Sequence, residues 1–143
     1  MIAVDTNILV HAHRADSPWH VHARSCLHGL GGERWAIPWP CVHEFLAVTT
    51  HPRIFAPPSP LEDALKAVQT WLAAPSLTLL CEIDGYWETL ADVLRSSRVA
   101  GPRVHDARIA ALCVQHGVTK LWTMDRDFSR FALLSTENPL TGK

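Results

Sequence analysis

The chain has 143 residues, is 48% hydrophobic by count and carries a formal net charge of -1. This is the length of one ordinary domain with enough apolar surface for a single core, so one domain over residues 1–143 is expected. The near-neutral balance excludes a general electrostatic attraction to nucleic acid and leaves only local basic patches.

Ile2-Ala3-Val4 is a short apolar run that stops at Asp5, as a buried parallel strand does, and Thr6-Asn7 offers capping side chains for a following helix. A second helix is predicted from Ser17-Pro18 to Leu30, with Ser as N-cap, Pro at the first helical position and Gly29, Gly31 and Gly32 closing it. Trp35-Ala36-Ile37 reads as a strand. Pro40 opens a helix to about Thr50, and Pro52 to Pro60 is a loop leading to a helix from Leu61 to about Ala73. Leu77 to Cys81 is strand-like, Tyr86 to Ser96 helical, and a helix from His105 to His116 follows the Gly101-Pro102 break and is closed by Gly117. Leu121-Trp122-Thr123 is a further strand, and Asp127 to Phe131 a short helix. Strands alternating with helices predict a three-layer α/β domain with a mainly parallel sheet, whose ligands collect beyond the carboxyl ends of the strands.

The four cysteines, at 26, 41, 81 and 113, show no C-x-x-C spacing and are expected as reduced core thiols. No leader pattern opens the chain and no apolar run is long enough to span a bilayer, so a cytoplasmic protein without a membrane partner is expected.

Four acids stand inside or beside apolar runs: Asp5, Glu44, Asp106 and Asp125. Hidden carboxylates are costly unless paired, hydrogen-bonded or bound to a cation. Asp5 follows a buried strand, and since Thr6 or Asn7 can cap the next helix, Asp5 is left needing another partner. Asp106 falls between Ala110 and Cys113 on the apolar arc of its helix, opposite Arg108 and Gln115, which a capping role does not explain. Glu44 sits at the edge of the stripe made by Cys41, Val42, Phe45 and Val48, where most glutamates are simply solvated. Asp125 and Asp127 follow a strand end; one suffices as a turn residue, and Asp125 is the better ligand candidate by proximity to the strand. Hard oxygen donors without a Cys or His set favour Mg²⁺ or Mn²⁺ over zinc, and such cations hold phosphates and activate water. The implied chemistry is phosphodiester hydrolysis.

Val-Asp-Thr-Asn at the N-terminus, the Glu44-Phe45-Leu46 helix followed by Thr49-Thr50-His51-Pro52, His105-Asp106-Ala107, Thr123-Met124-Asp125-Arg126-Asp127-Phe128 and Asn138-Pro139-Leu140 together resemble a PIN-domain ribonuclease of the VapC toxin type. The resemblance implies an α/β/α fold and endonucleolytic cleavage of RNA, with structured RNA such as tRNA or rRNA as the expected substrate. It also implies a Mg²⁺- or Mn²⁺-dependent acidic site, a homodimer, and a VapB-like antitoxin whose tail enters the groove. Carried over by motif, the metal-site acids fall on Asp5, Glu44, Asp106 and Asp125, with Thr6, Asn7, Thr123 and Asp127 in supporting positions; Asp127 remains open as a ligand beside Asp125.

Arg98, Arg103, Arg108, Arg126 and Arg130 lie near these acids in sequence, and Arg103 and Arg126 are the candidates for RNA phosphates. Paired histidines such as His11 with His13 point apart on a helix and have no Cys partner, which argues against zinc. Trp71, Trp87 and Trp122 are expected in core or dimer packing. Two other functions share parts of the pattern: a small metal-dependent phosphatase or phosphoacceptor domain using a strand-end acid such as Asp5, and a non-catalytic module binding RNA or a protein partner.

Overall fold

The computed structural model describes residues 1–141; residues 142 and 143 of the expected domain lie outside the described residues. Five strands, β1 (Ile2–Val4), β2 (Trp35–Pro38), β3 (Leu77–Leu80), β4 (Lys120–Trp122) and β5 (Ser135–Glu137), form one parallel sheet in the order β3-β2-β1-β4-β5. Six helices connect them: α1 (Thr6–His13), α2 (His20–Gly29), α3 (Trp39–Thr49), α4 (Leu61–Leu72), α5 (Tyr86–Ser97) and α6 (Val104–Gln115).

Chain direction decides the layers. From β1 the strands step outward to β2 and β3, then the chain crosses back to β4 on the other side of β1. Right-handed crossovers therefore set α1 to α4 against one face and α5 with α6 against the other. The strands can be short and apolar because both faces are covered: Ala3, Val4, Ala36, Ile37, Leu80 and Leu121 are fully buried, beside Ile8, Leu9, Phe45 and Leu112 from the helices. Strand order reverses between β1 and β4, where Val4 stands opposite Trp122. A crevice beyond the strand ends opens at such a switch point.

Several boundaries differ from expectation. The second helix starts at His20 instead of Ser17-Pro18, because the Ser17 hydroxyl accepts the Trp19 amide at 3.0 Å and lies 2.6 Å from His11 Nδ1, closing a turn before the helix. The strand β5 is polar, its residues half-buried or exposed at the sheet edge, and carries no apolar run to announce it. Trp87 is 70% exposed on α5 and contributes nothing to the core, while Trp35 is buried and Trp71 stands edge-on to Phe45 at 4.9 Å. Cys41 and Cys113 are buried thiols as expected, but Cys26 is half-buried and Cys81 exposed. Among the described residues no helix is long and apolar enough to cross a membrane.

Candidate metal centre

The seam between β1 and β4 holds the deepest polar group. Asp5 is 5% exposed and is itself the N-cap of α1, so the expectation that Thr6 or Asn7 would cap is corrected. The helix begins directly at Thr6, and the amide nearest the Asp5 carboxylate is that of Thr6, at 2.8 Å from Oδ1. Capping nevertheless occupies only part of the group. Oδ1 also accepts from the buried Cys41 thiol at 3.6 Å, and Oδ2 accepts from Thr123 Oγ1 at 2.7 Å and from Asn7 Nδ2 at 3.5 Å.

Thr123 and Asn7 tie the two strand ends together. The Thr123 hydroxyl donates to Asp5 and accepts the Asp125 amide at 3.0 Å and Asn7 Nδ2 at 3.4 Å. Asn7 Oδ1 accepts the Met124 amide at 3.2 Å. Burial raises the Asp5 carboxyl from 3.8 to about 6; the Thr123 and Thr6 hydrogen bonds work against that rise, and the negative charge of Glu44 adds to it.

Three further carboxylates close round this floor. Glu44 lies on the second turn of α3, not at the helix start, and although exposed it accepts from Thr6 Oγ1 at 3.3 Å. Asp106 is the third residue of α6 and half-exposed; burial first, and then the nearby charge of Asp125, raise its carboxyl above the ordinary value, while Arg103 lowers it. Asp125 caps the 3-10 turn Arg126–Arg130 by accepting the Asp127 amide at 2.8 Å on Oδ1. Asp5, Glu44, Asp106 and Asp125 thus line one cleft of about 210 Å³, reaching it from four different segments of the chain.

Asp127 faces elsewhere. Its carboxylate takes the Arg103 guanidinium, whose other nitrogen is 3.6 Å from Asp106, and it does not line the cleft. Arg103 therefore neutralises two acids at the rim. Arg126 is exposed and lines an adjoining pocket, and Arg108 pairs with Glu82 at 3.5 Å instead of joining the site.

Donor chemistry and charge both fit a hard divalent cation. The polar side chains lining the cleft are four carboxylates, a hydroxyl, an amide and an imidazole, set among Val10, Val48, Ile109 and Phe128; two of the acids are pushed toward the protonated form, and one arginine stands against five carboxylates. Among the described residues no three Asp, Glu, His or Cys side chains converge closely enough to hold a metal ion as they stand, so binding requires the rim carboxylates to turn inward.

His11 is the lining residue that sequence reasoning passed over. Weighed only as half of a zinc pair with His13, it has a simpler signal: it follows Asn7 by four residues and so shares its face of α1. Burial lowers its pKa, which favours the neutral ring.

The PIN domain profile matches residues 2–134. A VapC ribonuclease of Mycobacterium bovis is 34% identical over all of this chain and 98% of its own length. Among solved structures, VapBC2 of Rickettsia felis bound to a promoter DNA fragment aligns with a TM-score of 0.68 at 19% identity, covering 96% of this chain and 98% of that one. VapC20 of Mycobacterium tuberculosis, described as a toxin that cleaves the sarcin–ricin loop, aligns with a TM-score of 0.66 at 17% identity over 90% of this chain and 93% of its own.

Proposed function

Because the chain belongs to the PIN-domain family, we propose that it is a metal-dependent endoribonuclease of the VapC kind, the toxin of a toxin–antitoxin pair. One observation carries the reading: four carboxylates from four segments meet at a single cleft beyond the strand ends of a parallel sheet. Asp5, Glu44, Asp106 and Asp125 would hold Mg²⁺ or Mn²⁺, with Thr6, Asn7 and Thr123 supporting them. Bound there, such a cation supplies charge neutralisation for a phosphodiester and a more acidic attacking water.

The residues of the chain have separable parts in this. Thr123 and Asn7 hold Oδ2 of Asp5 in register with the β4 end while the Thr6 amide and the Cys41 thiol hold Oδ1, so the innermost ligand needs little reorganisation. Thr6 orients Glu44. Glu44, Asp106 and Asp125 repel one another and repel RNA until they are neutralised, which couples substrate entry to cation loading. Arg103 and Arg126 offer cationic contacts at the rim for flanking phosphates.

The phosphoacceptor alternative is not favoured, since the family profile is that of the PIN domain and the relatives are VapC ribonucleases. The VapBC pairing of the Rickettsia felis structure supports a small VapB-like antitoxin as partner here, and the sarcin–ricin activity described for VapC20 supports structured RNA as substrate. We further read residues 1–143 as one domain, acting in the cytoplasm as a homodimer. Mapping new RNA 5′ ends after induction tests the function. The wild type is expected to generate discrete ends and arrest growth, and a folded Asp5→Asn or Asp106→Asn variant to do neither. Full activity in either folded variant refutes the site, and absence of divalent-cation binding by calorimetry at millimolar concentrations favours a non-catalytic module.

A further inference from the structure

Beside the acid cleft, and sharing Asp125 with it, lies a second cavity of about 370 Å³ beyond the ends of β4 and β5. Its character differs from the cleft. Its acids stand at the margins: Asp125 lies on the border, and Glu137 is paired with Lys120 at 2.8 Å. The remaining polar lining is neutral or cationic: Thr123, whose hydroxyl is already engaged with Asp5, and Arg126, Ser129, Thr136, Asn138 and Thr141.

Several of these groups hold hydrogen-bonding capacity that the described fold leaves unused. Ser129 and Thr136 make no side-chain hydrogen bond among the described residues, and Arg126 makes no ion pair among them. Asn138 accepts the Leu140 amide on Oδ1 at 3.0 Å, which leaves its amide NH₂ as a free donor. Met124, half-buried against the core, provides an apolar surface in the cavity wall. A flat group with a donor–acceptor edge, attached to an anionic chain, matches this set: Met124 for the face, the hydroxyls and amide for the edge, Arg126 for the phosphate.

We propose that this cavity is a nucleotide subsite, which takes the base and ribose of the residue next to the cleaved phosphate and selects the base through Ser129, Thr136 and Asn138. The assignment rests on the ribonuclease reading, since a strand whose phosphate lies at the four acids continues on either side of them, and this cavity adjoins the cleft through Asp125. Volume agrees, because about 370 Å³ lies at the small end of the range for pockets that take small organic ligands. RNA loops with unstacked bases are the form of substrate that can enter it.

The test uses the full-length protein with Mn²⁺ and a set of stem-loop RNAs carrying each of the four bases on either side of the cut. Wild type is expected to prefer one base at one flanking position. The isosteric double variant Ser129→Ala/Thr136→Val, and separately Asn138→Ser, which keeps an acceptor for the turn, are expected to erase that preference. Each should raise KM by about tenfold with kcat nearly unchanged, as loss of one or two hydrogen bonds predicts. Unchanged thermal melting shows that the variants are folded, and the double variant, which preserves shape, carries the test if the Asn138 change lowers it. Wild-type cleavage with base preference and KM unaltered in both variants overturns the subsite and leaves the ribonuclease reading standing. Failure of the wild type to cleave any RNA overturns both.

Discussion

At the β1–β4 seam Asp5 accepts from a backbone amide, a threonine hydroxyl, an asparagine amide and a thiol, all within a region almost closed to solvent. On the rim, among the described residues, Glu44 accepts one side-chain donor, Asp125 one backbone amide, and Asp106 has only Arg103 at 3.6 Å. The seam is organised by the fold itself, because its donors come from the start of α1, from α3 and from the residue after β4, which the strand order of the sheet brings together. The rim is organised by charge, because its carboxylates ride on separate helices and turns and repel one another. The same contrast separates ligand rigidity from ligand adaptability: the floor can be preformed, while the rim can close round a cation of suitable size.

The largest effect that sharpens this contrast comes from the two neighbouring aspartates. Asp125→Asn is expected to reduce RNA cleavage by more than about a hundredfold, beyond what loss of a supporting group costs, and Asp127→Asn by about tenfold or less. Single-turnover rates at saturating Mn²⁺ measure both, and equal losses would break the distinction between a rim ligand and an Arg103 partner.

Next, Thr123→Val removes the hydroxyl that joins Asp5, Asn7 and Asp125. Cleavage should fall by about 10–100-fold and stability by about 1–3 kcal/mol, with Thr123→Ser restoring most of both in rate and urea-midpoint measurements. A neutral Thr123→Val would mean that the seam is not preformed by that hydroxyl.

Stability against pH separates the regions without substrate. With the Asp5 carboxyl at about 6 in the folded chain and 3.8 as its ordinary value, the folded state holds a proton that the unfolded state releases. Stability contributed by the neutral carboxyl is therefore complete below about pH 4 and is lost as pH rises to about 6, by about 3 kcal/mol in EDTA. Asp5→Asn should remove most of that slope, leaving the part due to Asp106, whose carboxyl is also raised, and millimolar Mn²⁺ should flatten it. Denaturation midpoints from pH 4 to 7 that show the same slope in the variant would assign the proton to another group.

The smallest expected effect lies furthest out. Arg103→Gln should leave the urea midpoint nearly unchanged, since the arginine is solvent-exposed and its ion pairs are screened, and should lower the salt slope of RNA binding by about 1. An unchanged slope would confine Arg103 to its two aspartates.

Much of the architecture was legible locally. Ile2-Ala3-Val4, Trp35-Ala36-Ile37 and Leu77 to Leu80 are apolar runs bounded by capping or turn residues, and they appear as strands within a residue of expectation. The inward aspect of Asp106 was visible in helical periodicity. β5 was not legible, because an edge strand reading Ser-Thr-Glu has no alternation to detect and is held by pairing with β4. The Ser17 turn and His11 escaped for a related reason: a good local signal, a helix-start motif or a histidine pair, concealed a partner six residues away.

The sequence by itself determined the segments that become the four apolar strands and the six helices, and that four acids terminate or border buried elements, because periodicity, capping chemistry and the cost of hiding charge act over a few residues; the polar edge strand β5 was left to pairing. Only the tertiary structure decided that Asp5 is both cap and cleft floor, that Asp125 faces the cleft while Asp127 turns to Arg103, and that a polar cavity adjoins the acids. Each of those depends on groups far apart in the chain, such as Thr123 and Asp5 at a separation of 118 residues, and their meeting is set by strand order in the sheet.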